Sequence, residues 1–433
     1  MKKYDAINAE LFIANRKRLV AQLPPHSIAI LHANDEMPRS ADGFFPFRQN
    51  SDLFWLTGID QEQTVLVLFP DHPEPEQREI LFVRRTNEYI AVWEGHKYTE
   101  EEARAASGIQ NVKWTDSFES LLPNLMYLAK TCYLNLNEHG RMASDVADRD
   151  LRFAQRLRSQ FPLHQWGRLA PLMHQLRAIK SDLEIAQIRQ AIAITDKAFR
   201  RILRFVRPDV TEYEIEAEIL HEFVRNRATG PAYGSIIASG KNACVLHYVN
   251  NNQPCKDGDL ILMDFGAEYA NYAADLTRTI PVNGRFTDRQ RAVYNAVLRV
   301  MRFATNLLRP GTLLDEYHRE VGLVMQSELV GLGLLNAADI AAQDPKKTPL
   351  YKKYFPHGTS HFLGLDVHDV GHRHRPIEAG MVFTCEPGIY IPEEGIGIRL
   401  ENDILVTHND PIDLMAHIPL AAEEIEDLMN SNG

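Results

Sequence analysis

The sequence predicts two domains: an α/β unit over residues 1–170, then an α+β unit over residues 171–433 made of two related halves. Three observations lead there. Short β-branched or apolar runs alternate with helix-like segments through the first part of the chain. A strong helix start, Ser181-Asp182-Leu183-Glu184, follows a change of pattern around Leu169 to Lys180. Beyond it, the sequence weakly repeats itself. At roughly 150 residues per domain, 433 residues allow two or three domains, each able to bury its own core.

In chain order, strands are expected at Ser27 to Leu31, Thr64 to Phe69, Glu79 to Val83 and Cys132 to Leu136, with the Pro73-Glu74-Pro75-Glu76 turn between two of them. In the capping box, the Ser181 and Glu184 side chains satisfy the first free amides of a long helix. Ile185, Ile188, Ile192, Phe199 and Ile202 keep to one face of that helix, as packing on a core requires. Arg207-Pro208 with Thr211 is then echoed by Arg309-Pro310 with Thr312. Gly258 before Asp264 in GDLILMDFG is echoed by Gly380 before Glu386 in GMVFTCEPG. Each half adds a second carboxylate after turn residues, Asp275 in the first and Glu401 in the second, so two related hairpins carrying two acids apiece could face each other.

Composition excludes several classes of partner. The net charge of −11 argues against nucleic acid or an anionic membrane, since such binding rests on clustered Lys and Arg. The N-terminal stretch lacks the apolar run of a secretory signal, and no stretch approaches the roughly 20 residues of a membrane span. Cys132, Cys244, Cys255 and Cys385 form no CxxC pair or disulfide framework. A cytoplasmic protein is expected.

An acid inside LILMDF is costly, because a buried carboxylate without a partner loses several kcal/mol of hydration. One such acid is most simply a buried salt bridge. Four of them, Asp264, Asp275, Glu386 and Glu401, each in or at the end of a strand-like stretch, point to a cation. Carboxylates with one or two imidazoles suit Mn²⁺, Co²⁺ or Zn²⁺, and bridging carboxylates can hold two ions roughly 3.5–4 Å apart. The run HGTSHFLGLDVHDVGHRH supplies imidazoles at His357, His361, His368, His372 and His374. Gly358 and Gly364 disfavour a helix there, and no HExxH or GxSxG motif occurs. Each histidine could equally be a hydrogen-bonded structural residue, the favoured reading for His372 and His374 beside Arg373 and Arg375.

LHYVNN around His247, MDFGAEYANYAADLTRTIPVNGRF, HGTSHFLGLDVHDVG, GMVFTCEPGIYI and GIGIRLENDILVT, in that order, resemble the motifs of the proline-directed metallopeptidases with the pita-bread fold, the aminopeptidase P and prolidase group. Residues 37–60 also resemble the N-terminal domain of aminopeptidase P. The resemblance implies an α+β pita-bread domain with a pseudo-twofold repeat. It implies metal ligation by Asp264, Asp275, His361, Glu386 and Glu401, two divalent ions, usually manganese, and supporting roles for His247, His357, His368 and Arg399. The connection from Glu386 to Glu401 is compact, which bears on the outer wall of the substrate pocket.

The activity so implied is hydrolysis of the bond between an N-terminal residue and a following proline. Two cations sharing a water would lower its pKa toward neutrality. Glu386 would take the water proton, and His247 and His368 would stabilise developing charge. Peptides with proline second are the expected partners, and a homo-oligomer, dimer or tetramer, the expected assembly. The alternatives are a prolidase restricted to Xaa-Pro dipeptides, with Arg373 or Arg375 as carboxylate clamp, and a non-catalytic peptide-binding module. Trp93 could reach a neighbouring active site, as the resemblance suggests, or stand at a core edge.

Overall fold

The computed structural model describes residues 3–141, 144–344 and 346–431. The chain forms two compact units that divide between Arg177 and Ala178, within the helix Ala170–Ala178.

The first unit is built on a mixed six-stranded sheet. In spatial order its strands are Asn111–Trp114, Glu79–Val83, Val65–Leu68, Ser27–His32, Thr131–Leu134 and Gln165–Arg168. Ser27–His32 and Val65–Leu68 are buried on both faces, so they read as unbroken apolar runs and were legible in the sequence. The two edge strands, NVKW and QWGR, escaped that reading because half-exposed edge strands tolerate polar residues. Ile28, Ile30, Val67, Phe82, Phe118 and Leu157 belong to the core on one face of this sheet. The expected turn at Pro73 to Glu76 runs into a 3₁₀ turn at Pro75–Gln77.

The second unit opens with the helix Asp182–Phe205, whose Ser181 and Glu184 form the reciprocal capping box. Ile185, Ile188, Ile192, Phe199 and Ile202 are all buried. The helix Glu212–Arg225 packs beside it. Next comes the antiparallel sheet Ile236–Ser239, Leu260–Phe265, Leu276–Pro281. Between its last two strands an arm folds out, Ala267–Tyr269 against Tyr272–Ala273, turning at Ala270 and Asn271 with φ of 51° and 64°. Two successive left-handed residues make the tight hairpin turn that matches strand twist.

A similar order then recurs: paired helices Asp288–Leu307 and Leu314–Gly331, strand Val382–Cys385, arm Gly388–Ile391 against Ile396–Arg399, and strand Asn402–Leu405, with Ile412–Asp413 at the far edge in place of an opening strand. The internal repeat is therefore a repeat of structure. No helix among the described residues is long and apolar enough to cross a membrane.

Candidate metal centre

Each half of the second unit delivers its acids at the root of its arm. Asp264 lies in the strand Leu260–Phe265, paired with Thr277 on one side and Ile236 on the other. Asp275 immediately precedes Leu276–Pro281. Gly266, between the two acids, is required by close approach, because a Cβ there would lie 1.7 Å from the Ala274 carbonyl oxygen. In the second half, Glu386 follows Val382–Cys385 and Glu401 precedes Asn402–Leu405.

Direct bonds hold the halves face to face. The Glu401 amide donates to the Thr277 carbonyl at 3.1 Å. The Thr277 hydroxyl donates to Glu401 Oε2 at 2.5 Å. The Asp275 amide donates to Asp403 Oδ2 at 3.2 Å, and buried Arg278 donates to the Glu401 carbonyl at 2.7 Å.

Among the described residues, single ligand atoms of Asp275, His361 and Glu401 lie within 4.8 Å of one another. His361 Nε2 stands 3.4 Å from Asp275 Oδ2 and 3.7 Å from Glu386 Oε1. Asp264 adjoins through Tyr233, whose hydroxyl is 2.6 Å from Asp264 Oδ1 and 2.5 Å from Asp275 Oδ1. One phenolic proton thus serves two carboxylates. His361 Nδ1 lies 2.9 Å from the Phe362 carbonyl, which can only accept, so Nδ1 carries the proton and Nε2 faces the acids. A neutral imidazole would aim its Nε2 lone pair at carboxylate oxygens, so positive charge belongs between them. This donor set, one imidazole nitrogen among four carboxylates, fits divalent ions of the manganese, cobalt and zinc kind.

The titration behaviour has the same cause. Burial pushes the Glu386 carboxyl up to about 7 against the opposing pull of His361 and Arg399. Asp264 is raised by burial despite Arg399. Glu401 is raised well above the carboxylate range by burial, then by Asp275 and Glu386. For His361, burial opposes the charge, but the Asp275 hydrogen bond and the field of Glu386 outweigh it and raise the pKa. The group as a whole holds more carboxylate than cationic charge.

The supporting residues divide into two kinds. Arg399 is buried and donates to Thr277 at 3.1 Å, to the Tyr390 hydroxyl at 2.9 Å and to Asp264 Oδ2 at 2.5 Å. His357 continues this line: its Nε2 is 2.8 Å from the Tyr390 hydroxyl and its Nδ1 is 2.7 Å from the Gly358 carbonyl. Burial, then Arg399, lowers its pKa to about 3, so the ring is neutral and accepts from Tyr390. His247 and His368, in contrast, are exposed. The His368 ring stands edge-on to His361 at 4.4 Å, and His247 lies within electrostatic range of His357. His374 is 87% exposed, and Arg373 pairs with Asp315 at the surface.

Besides Arg278, which joins the halves, four residues of this network were not singled out in the sequence: Tyr233, Thr277, Tyr390 and Asp403. Asp403 did carry a signal, being an acid in the apolar strand NDIL, the same pattern that marked Asp264. Its Oδ1 is buried without a hydrogen-bond partner, and burial, then Asp275, raises its pKa well above the carboxylate range. The other three are uncharged and take their roles only from contacts distant in sequence.

Both parts of the chain match known families. Residues 186–408 match metallopeptidase family M24, and residues 12–133 match the aminopeptidase P N-terminal domain. The chain is 39% identical to the Xaa-Pro aminopeptidase of Escherichia coli, over 98% of both chains. It resembles the solved structure of a putative aminopeptidase P from Bacillus anthracis, with TM-score 0.91, 36% identity and 99% of both chains covered. A zinc-substituted aminopeptidase P from Escherichia coli in complex with product gives TM-score 0.87 at 36% identity, again over 99% of both.

Proposed function

The chain belongs to metallopeptidase family M24 and is a metal-dependent hydrolase; we propose that it removes the N-terminal residue preceding a proline from peptides of three or more residues. In this reading Asp264, Asp275, His361, Glu386 and Glu401 hold two divalent ions, manganese foremost. The observation that carries the reading is His361 Nε2 directed at Asp275 and Glu386. Ions bound there supply Lewis acidity and bring the pKa of a water toward neutrality.

The chain's own residues do the rest. Glu386 accepts a proton on a carboxylate oxygen and returns it toward the leaving nitrogen, which in an Xaa-Pro bond carries no N–H of its own. The exposed imidazoles of His247 and His368 donate to the substrate carbonyl groups as charge develops. Arg399, through Tyr390, fixes His357 beside Glu386, with His357 Nδ1 3.7 Å from Glu386 Oε2.

A homo-oligomer, dimer or tetramer, is supported by the exposed Tyr89, Val92 and Trp93 on the helix Glu88–Glu94, where Trp93 is 74% exposed rather than part of a core. Four unpaired thiols support residence in the cytoplasm. The 39% identity to the Xaa-Pro aminopeptidase of Escherichia coli over 98% of both chains favours this activity over a dipeptide-only prolidase. The test is kcat/KM with manganese for an Xaa-Pro dipeptide and for the same sequence extended by two residues. Preference for the extended peptide is expected. Preference for the dipeptide, lost on replacing Arg373 or Arg375, would establish the prolidase instead.

A further inference from the structure

Both exposed histidines at the site are followed in sequence by a buried polar residue whose side chain is clamped from elsewhere in the fold. After His247 comes Tyr248, buried in an apolar cluster with Ile236, Leu262 and Tyr390. Its hydroxyl donates to Glu212 Oε2 at 2.8 Å. Glu212, at the start of the helix Glu212–Arg225, is fully buried, and no cation contacts its carboxylate among the described hydrogen bonds and ion pairs. Neutral donors surround it instead: the Ser239 amide at 2.8 Å, the Ser239 hydroxyl at 2.7 Å, Asn242 Nδ2 at 3.2 Å and the Gln253 amide at 2.9 Å, besides Tyr248. These donors lie between residues 239 and 253 and so bracket His247 within the connection from Ser239 to Leu260. A buried carboxylate so fully satisfied defines one loop conformation sharply, because any other would leave its charge without partners.

After His368 comes Asp369. Its Oδ2 accepts from Lys180 Nζ at 3.0 Å, and both side chains are 1% exposed. The pair packs so closely on Gly364 that a Cβ there would lie 2.2 Å from Asp369 Oδ2 and 2.8 Å from Lys180 Cε. The Asp369 amide donates to the Phe362 carbonyl at 2.9 Å, next to His361. The two arrangements differ in chemistry, one a tyrosine on a carboxylate and the other an ion pair. They share a design in which the imidazole stays solvent-facing while its sequence neighbour is locked inside.

We propose that Glu212 and Lys180 are positioning residues, which act through Tyr248 and Asp369 to fix where the His247 and His368 imidazoles stand. The proposal rests on the roles assigned to those histidines above. Neither Glu212 nor Lys180 hydrogen-bonds the carboxylate cluster among the described contacts. The other routes to it run through the Phe362 carbonyl beside His361 and through Tyr390 beside Tyr248, which the metal content and the histidine backgrounds below separate from an effect through the two rings. Small displacements of a positioned group can cost about 10²-fold in rate, and Tyr248→Phe, which removes one hydroxyl, should lower kcat at least about tenfold with metal content unchanged.

The deciding experiment is a double-mutant cycle on the manganese-loaded full chain with Ala-Pro-Ala as substrate, measuring kcat, KM, bound metal and melting temperature. Tyr248→Phe and Glu212→Gln are each made alone and in the His247→Ala background; Asp369→Asn is made alone and with His368→Ala. In the absence of the histidine, the neighbouring substitution should have no further effect on kcat. Equal fold-losses in both backgrounds would mark a general structural role and overturn the proposal, as would wild-type kcat for Tyr248→Phe while His247→Ala is impaired. Full activity in His247→Ala and His368→Ala would instead remove the histidines' assigned roles, and the proposal with them. If Glu212→Gln loses metal or melts early, the single-hydroxyl change at Tyr248 decides.

Discussion

Stripping the metal should make the second unit's stability fall as pH rises, and Glu386 allows the size to be worked out. In the metal-free protein, burial lifts its carboxyl from the ordinary 4.5 to about 7. Below pH 4.5 both native and unfolded chains carry the proton, and this group costs nothing. As pH climbs toward 7 the unfolded chain releases the proton while the native state keeps it, so stability is lost across that interval. At about 1.4 kcal/mol per pH unit the loss comes to about 3 kcal/mol, or roughly 6–12 °C in melting temperature for a unit of this size. The assay is thermal unfolding of chelator-treated wild type and Glu386→Gln at pH 4.5 and pH 8. The variant has no proton to release at this position, so the difference between the two proteins should shift by about 3 kcal/mol in the variant's favour at pH 8. Manganese added at pH 8 should restore the wild type by mass action. Parallel pH curves for the two chelated proteins would refute the reasoning, because the buried carboxyl would then titrate as if exposed.

Chelation should abolish hydrolysis, and Mn²⁺ should restore it better than Mg²⁺, since an imidazole ligand suits manganese more; turnover by protein shown metal-free by elemental analysis would contradict this. Asp264→Asn should lose at least one ion and nearly all turnover with its circular dichroism unchanged. His361→Ala should lower metal content, whereas His247→Ala and His368→Ala should keep the metal and lose roughly 10²–10³ in kcat; metal loss in the His368 variant would reverse the assignment. Lys180→Met strands Asp369 in a site where both partners are 1% exposed, and urea titration should show a loss of about 3–5 kcal/mol.

Features governed by local chemistry were legible in the sequence. The Ser181 and Glu184 capping box lies within four consecutive residues, and the structure reproduces it. The repeat was visible because glycine and acid recur at the same positions in corresponding strands, and the helix pairs and hairpin arms follow that order. The carboxylates stood out because an acid in LILMDF is conspicuous. Tyr233, Thr277 and Tyr390 did not, because an uncharged residue in a buried strand or loop looks like ordinary core until its partner is known. That partner can be 124 residues away, as Glu401 is from Thr277. The strand QWGR was missed for the opposite reason, being short, edge-placed and half-exposed.

The facing arms also govern when in the life of the chain this centre can exist. Asp264 meets Arg399 across 135 residues, and Thr277 meets Glu401 across 124. A nascent chain that has emerged only through the first arm holds Asp264 and Asp275 without Arg399, His361, Glu386 or Glu401, a pair of acids too sparse to capture an ion firmly. Contacts of such separation form late, after long loops have closed. On the proposed ligand set, metal affinity should therefore appear only once the second half has assembled, so that a growing or partly unfolded chain would bind no ion tightly.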